Sequence, residues 1–313
     1  MDLIRMDALD FDLALTLDSG QVFHWERSGT GYFGTIGEQP VYVEQRREAL
    51  SVSRGMRRLV HNYFALDHPL AAICASFPHD PAMYAARDFC RGLRIIRQPE
   101  WECLASFITS SMKQVAHIRQ MSRAIRERFG QPHLLVGVKL HSFPSAARVA
   151  ELEERDLRAC GLGYRAKNLL STARRVASGE ADLEAWRELP DAELCARLCE
   201  LPGVGAKVAN CVMLFAYERL RAFPIDVWIE RVLKAKYFPR ARKLTAERLR
   251  VFCDEYFGEH GGYAQQYLFH HARKTTLRTR AKRAVLLHRK LSPARARDTV
   301  RKAGYGAKPH ALN

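Results

Sequence analysis

No run of 18 apolar residues occurs in the 313-residue chain, which excludes a membrane-spanning helix of ordinary length. The opening residues, Met-Asp-Leu-Ile-Arg, lack the basic-then-apolar order of a secretory leader. These two absences predict a soluble, cytoplasmic protein with no membrane partner, nucleoid-associated if its host is bacterial. The eight cysteines are scattered, and no Cys-x-x-Cys pair occurs. Neither a zinc site nor a disulfide framework is expected. Internal repeats and low-complexity linkers are also missing. Acid is scarce in one place: residues 271–313 hold thirteen lysines and arginines against Asp298 alone, so they carry most of the formal net charge of +16. Such a balance favours a polyanionic partner, nucleic acid first. The basic C-terminal extension, residues 273–313, reads both as a partly disordered, solvated segment and as a non-specific DNA-affinity arm weakened by salt.

The most informative stretch runs Leu198-Cys-Glu-Leu-Pro-Gly-Val-Gly-Ala-Lys-Val-Ala209, followed by Phe223-Pro-Ile-Asp-Val-Trp228. Asp191 to Glu200 has apolar residues at helical spacing. Pro202, Gly203 and Gly205 interrupt it, and a second helix starts at Ala206. A helix, a Gly-x-Gly turn and a helix predict a hairpin whose backbone N–H groups at Gly203, Val204 and Gly205, with the positive end of the second helix, receive a phosphate. Lys207 lies in that helix's first turn, where the dipole disfavours a cation by roughly 0.3–1 kcal/mol. One reading makes it a phosphate contact; the other makes it an amine nucleophile. Asp226 reads as the N-cap of a helix from Val227. About eight extended residues at ~3.3 Å each are enough to return it beside Lys207. An amine beside a carboxylate at a phosphate-binding hairpin suits displacement of a base from a sugar through a cationic transition state.

Around this unit the chain divides into two expected domains and the basic extension. Residues 1–92 begin with short strands (10–17, 31–36, 40–44 and 49–52, in antiparallel order) and continue as helix from Met56. Residues 93–272 read almost entirely as helix, with segments starting at Pro99, Val115, Ser145, Arg155, Ala166, Asp191, Ala206, Val227, Ala246 and Ala264. The fold class is therefore α+β: an N-terminal antiparallel β-sheet domain with helices, then an all-α domain.

The Leu-Pro-Gly-Val-Gly-x-Lys and Pro-Ile-Asp-Val runs resemble the signature of the helix-hairpin-helix, Gly/Pro-Asp DNA glycosylase superfamily. Further stretches are similar to the 8-oxoguanine DNA glycosylase/AP lyase family: Ser19-Gly-Gln-Val-Phe-His-Trp25, Tyr63-Phe-Ala-Leu-Asp67, Gly92-Leu-Arg-Ile-Ile-Arg-Gln98, Leu162-Gly-Tyr-Arg165 and Tyr263-Ala-Gln-Gln-Tyr-Leu-Phe269. The resemblance spans roughly residues 10–272. It implies a bifunctional enzyme of base excision repair whose partner is double-stranded DNA containing oxidised guanine, acting as a monomer. Lys207 would be the nucleophile and Asp226 the stabiliser of the sugar cation. Gly20 would offer its carbonyl to the N7–H of the lesion, Phe269 and Cys211 would sandwich the flipped base, and Gln265 would read its Watson–Crick edge. Tyr164 would wedge into the duplex, and Arg165 would face the orphaned base. No cofactor is implied beyond a structural cation at main-chain oxygens of the hairpin.

One part of the pattern departs from the family. Where its eukaryotic-type members carry asparagines and then an arginine, this chain has Met112 and Lys113, then His117. A thioether cannot supply an amide's paired donor and acceptor, so weak discrimination of the opposite base is expected. Trp228 stands where a histidine near a phosphate is common, which assigns it to the DNA side by position rather than by side-chain chemistry. Two other readings follow from the same residues: a glycosylase for other damaged bases, and a non-catalytic DNA-binding hairpin module. Binding alone needs neither Lys207 nor Asp226.

Overall fold

The computed structural model describes residues 2–277 apart from Met112. Met112 and most of the basic extension lie outside the described residues. Five strands, β1 (Leu3–Asp7), β2 (Glu26–Ser28), β3 (Gly31–Ile36), β4 (Gln39–Arg46) and β5 (Ala49–Ser53), form an antiparallel sheet in the order β1-β5-β4-β3-β2. Its inner face, including Val41, Val43, Leu50 and Val52, is fully buried against helices α1 (Leu13–Asp18) and α2 (Arg57–Tyr63).

Helix α1 replaces the strand expected over 10–17. The Leu-Ala-Leu-Thr-Leu alternation is equally a helical pattern, with Leu13, Thr16 and Leu17 buried together. Asp12 decides between them, because its carboxylate accepts the Leu15 N–H at 2.7 Å and caps the helix. A second departure is the hairpin of β6 (Pro132–Leu135) and β7 (Val138–His141), within a region read as helix. Its Leu140 packs on Phe33 and Tyr42 of the sheet.

The remaining elements are helical: α3 (Leu70–Ala75), α4 (Pro81–Phe89), α5 (Glu100–Ser110), α6 (Val115–Phe129), α7 (Ala146–Ala150), α8 (Glu154–Arg158), α9 (Arg165–Ala177), α10 (Asp191–Cys199), α11 (Ala206–Phe215), α12 (Val227–Lys236), α13 (Ala246–Phe257), and a helix over 261–277, here α14. Their apolar faces share one core that also takes in Leu70, Ile73 and Leu93. Helix α5 runs through this core with every residue from Glu102 to Ser110 buried. Its C-terminus is thereby fixed at the centre of the molecule.

Polar contacts tie the sheet side to the helices. Arg97 binds Asp67 at 2.6 Å and Glu218 at 2.5 Å, and His68 bridges Glu218 at 2.5 Å and the Tyr263 hydroxyl at 2.7 Å. Beneath them Arg126 pairs with Glu102, which also meets His24 at 3.3 Å. Burial drives the His24 imidazole well below its ordinary pKa, with Arg126 adding to the effect.

Candidate active site

The hairpin forms where expected. α10 ends at Cys199, and Gly203 takes φ +85°, a conformation that disfavours any side chain. A Cβ there would also meet Asn168 Cβ at 2.8 Å. Thr172 Oγ1 donates to the Pro202 carbonyl at 2.9 Å, and Arg175 Nη1 to that of Glu200 at 2.8 Å, so α9 fixes the turn. Among the described residues no side chain caps α11, which leaves its first-turn N–H groups for an outside acceptor. Gly203 and Gly205 are exposed. Val204 corrects the expectation of three presented N–H groups: it is buried, and its N–H closes the turn on the Leu201 carbonyl at 3.1 Å.

Lys207 extends from α11 to the end of α5. Its Nζ lies 3.4 Å from Ser110 Oγ and 5.1 Å from the centre of the Phe107 ring. One turn on, Cys211 lines the same face, and burial pushes its thiol pKa up although the Lys207 charge opposes this. After α11 the chain doubles back. Asn210 Oδ1 accepts the Phe223 N–H at 3.2 Å, which lays the 223–226 segment along α11. Asp226 then caps α12 by accepting the Ile229 N–H at 2.9 Å. Its carboxyl is raised above the ordinary 3.8, chiefly by burial, while the capping N–H groups and the Lys207 charge hold it down. The acid and the amine therefore act on each other, although 19 residues of chain separate them.

Helix α14 supplies the opposite wall. Gln265 is buried and donates from Nε2 to the Pro224 carbonyl at 2.9 Å, whereas its Oε1 has no partner among the described residues. Phe269 is half-buried one turn further on. A Cβ built on Gly20 would stand 3.1 Å from Phe269 Cε1, so the two meet across the molecule. Gly20 adopts φ +93° directly after α1. Gln21 holds this turn in place: its Nε2 donates to the Arg94 carbonyl at 2.8 Å and its Oε1 accepts the Ile96 N–H at 2.9 Å. Gln266 of α14 donates to the Ser19 carbonyl at 3.1 Å. Lys207, Cys211, Asp226 and Gln265 are thus one group, and Gly20 with Phe269 is joined to it through α14.

Tyr164 is 59% exposed at the start of α9, an unusual exposure for a large aromatic. Arg165 departs from its expected place facing the partner base. It is 5% exposed, and its guanidinium turns inward to the Ser111 carbonyl, at 2.8 Å from Nε, and to the Leu162 carbonyl at 3.3 Å. The free carbonyls at the end of α5 attract it there. It stacks 4.4 Å from the Tyr164 ring centre and so supports that ring from beneath. Lys113 and His117 are exposed beyond the end of α5, and Trp228 is half-buried against Arg231.

The sequence reading missed Ser110, Phe107, Asp18 and Arg273. Arg273 lies four residues after Phe269 on the same face of α14, a spacing that was legible; Asp18 carried no comparable signal. A cleft of about 640 Å³ between α6 and the sheet touches none of Lys207, Cys211, Asp226, Gln265 or Phe269, so its size does not bear on this site. Among the described residues no group of three or more His, Cys, Asp and Glu is placed to hold a metal.

Comparison with known proteins identifies the family. Residues 3–104 match the 8-oxoguanine DNA glycosylase N-terminal domain, and residues 105–255 match the HhH-GPD superfamily of base excision DNA repair proteins. An N-glycosylase/DNA lyase of Arabidopsis thaliana is 30% identical over 290 residues, covering 85% of this chain and 78% of the relative. The crystal structure of the Clostridium acetobutylicum 8-oxoguanine glycosylase/lyase with duplex DNA bearing cytosine opposite 8-oxoguanine has a TM-score of 0.81 at 32% identity, covering 88% of this chain and all of that one. The 3-methyladenine DNA glycosylase of Archaeoglobus fulgidus, at 20% identity and a TM-score of 0.72, shares the fold. A sheet matched by the first family, a hairpin matched by the second and similarity over most of the chain to an N-glycosylase/DNA lyase and an 8-oxoguanine glycosylase/lyase lead to one conclusion: the chain belongs to the 8-oxoguanine DNA glycosylase family of helix-hairpin-helix base excision repair enzymes.

Proposed function

We propose that the protein acts as a monomer on duplex DNA, flips out 8-oxoguanine, cleaves its glycosidic bond and then nicks the strand. The observation that carries this reading is the Lys207–Asp226 pair, with Cys211 and Gln265 Oε1, which has no partner among the described residues, beside it. A DNA-binding module has no use for a half-buried carboxylate within electrostatic reach of an amine. The hairpin turn and the uncapped start of α11 receive a backbone phosphate, and Tyr164 fills the gap left by the extruded nucleotide. Gly20, Phe269, Cys211 and Gln265 hold the base. The N7–H, present on the oxidised base and absent from guanine, is what the Gly20 carbonyl selects.

In the first step Lys207 gives its ammonium proton to solvent and its nitrogen bonds to C1′ as the C1′–N9 bond breaks, and the electron pair of that bond leaves with the base. Asp226 offers negative charge to the sugar while it is cationic. The proton released from the lysine nitrogen neutralises the departing base. Ring opening gives a Schiff base, loss of a C2′ proton drives β-elimination, and the C3′–O bond breaks. A structural cation at main-chain oxygens of the hairpin belongs to this reading as well; no step depends on it. Met112, Lys113 and His117 do not reproduce the family's cytosine reader, and the opposite base is therefore weakly discriminated.

The test is borohydride trapping on a panel of lesion duplexes. Release of 8-oxoguanine with a trapped covalent complex, both abolished in Lys207→Gln, is the expected result. Preference for a different lesion would replace the substrate assignment, and a fully active Lys207→Gln would remove the mechanism.

A further inference from the structure

Arg273 is 8% exposed, and its guanidinium lies against Gly20 and Phe269. Its Nη1 would lie 2.9 Å from a Cβ on Gly20, and its Cζ is 5.3 Å from the Phe269 ring centre. Gly20 and Phe269 are the two residues that bracket the proposed position of the lesion base. Nη2 is fixed by donation to the Asp18 carbonyl at 2.5 Å, while among the described residues Nη1 is paired with no acceptor.

The charge around it is unbalanced. The Asp18 carboxylate takes Lys274 on Oδ2 and Arg119 at 3.0 Å on Oδ1. Burial alone would raise the Asp18 carboxyl, but the Lys274 hydrogen bond and these neighbouring cations hold it below its usual value. The Asp18 carboxylate thus answers three cations: Arg119, Arg273 and Lys274. A buried cation is costly unless it is paired, so this one has an incentive to meet negative charge. Asp226 is near enough for its charge to act on Arg273.

We infer that Arg273 is a base-recognition and leaving-group residue: Nη1 donates to an oxygen on the Hoogsteen edge of the flipped base, and the guanidinium stabilises the electron pair the base takes from the C1′–N9 bond. This rests on the proposed excision of 8-oxoguanine. The carbonyl oxygens O6 and O8 flank N7–H, so a donor beside the Gly20 backbone lies next to both. The departing base spreads its negative charge over those same oxygens. Arginine suits the task because it stays protonated at any working pH.

The step assigned to Arg273 precedes strand cleavage, and the test separates the two. Full-length wild type, Arg273→Met and Arg273→Lys are compared in single turnover on an 8-oxoguanine duplex and on the same duplex with a preformed abasic site. We expect Arg273→Met to slow base release by roughly 30- to 300-fold, with abasic-site cleavage and borohydride trapping within about 3-fold of wild type. Arg273→Lys should recover part of the loss. The deficit should shrink for lesions whose departing base is more acidic. Unchanged base release in Arg273→Met overturns the assignment, and so does an equal fall in both reactions, which marks a structural role. A wild type that cleaves abasic sites but releases no 8-oxoguanine removes the proposed function and this inference with it. A wild type that does release it, alongside an equally active Arg273→Met, removes the inference alone.

Discussion

The two sides of the site are built in opposite ways. The chemical side, Lys207, Cys211 and Asp226, comes from one helix and the chain returning along it, and its longest sequence separation is 19 residues. The base-reading side joins Gly20 at the end of α1 to Phe269 and Arg273 in α14, about 250 residues away. A local unit holds its geometry through its own turn and caps. The long-range side exists only when the whole chain is folded, and polar contacts from Gln21, Gln266 and Arg94 keep it in place. This division separates a reaction that depends on positioning an amine from a selection that depends on positioning a carbonyl.

Substitutions can break that division or sharpen it. Lys207→Gln should eliminate both base release and strand cleavage, a fall of roughly 10^4-fold or more; residual borohydride trapping would show a second nucleophile. Asp226→Asn should slow base release by about 10^2- to 10^3-fold while lesion-duplex affinity persists in a binding assay. Its stability effect has the opposite sign. The Asp226 carboxyl is held above 3.8 in the fold, so its ionised form costs stability at pH values above that raised value. The cost disappears as the pH falls below the unfolded value. Asparagine still caps α12, and the variant should melt at the same temperature as wild type or higher; a clear fall would contradict this. Wild-type base release should lose rate as acid protonates Asp226, with a limb above pH 3.8 that the Asn variant lacks.

On the other side, Gly20→Ala places a Cβ at φ +93° and against Arg273, a strain of about 1–3 kcal/mol. Base release should drop on the order of 10^2-fold with abasic-site cleavage largely kept; an equal loss of both would erase the distinction between the two sides. Tyr164→Ala should cost about 10-fold on duplex substrate and little on a single-stranded one, as single-turnover rates will report. The smallest effect concerns the opposite base: cleavage rates opposite the four bases should differ by less than about 100-fold, or 2.7 kcal/mol.

Legibility follows the same division. The hairpin, the cap at Asp226 and the boundaries of α5, α6 and α13 are encoded by residues close in sequence: prolines, glycines, capping side chains and apolar spacing. Where two local patterns coincide, the sequence is ambiguous, and α1 is the example, with one carboxylate on Asp12 selecting helix over strand. The β6–β7 hairpin escaped notice because Val136-Gly137 is a weak turn signal whose reward is distant packing on Phe33. Arg165 was given an outward role because resemblance fixes a position in the chain but not the direction of a side chain, and Val204 because a Gly-x-Gly turn does not reveal which of its N–H groups closes the turn itself. Burial and a nearby carbonyl fixed those directions. The four-residue spacing of Phe269 and Arg273 was legible, but their meeting with Asp18 and Gly20 needed the fold itself, since those two lie about 250 residues away in sequence.

The C-terminus of α5 is a common datum for parts that must agree to within an ångström. Ser110 Oγ meets Lys207, the Ser111 carbonyl takes Arg165 beneath Tyr164, and Lys113 and His117 follow directly. A displacement of that helix end shifts all of them at once and in the same direction, so their mutual alignment survives motions that would scramble three separate mountings. Errors of about 1 Å cost enzymes as much as 10^2-fold. Tolerance therefore resides less in each side chain than in the rigidity of a single rod, and cavity-forming substitutions along Cys103, Leu104 or Phe107 should degrade nicking, base release and duplex engagement together.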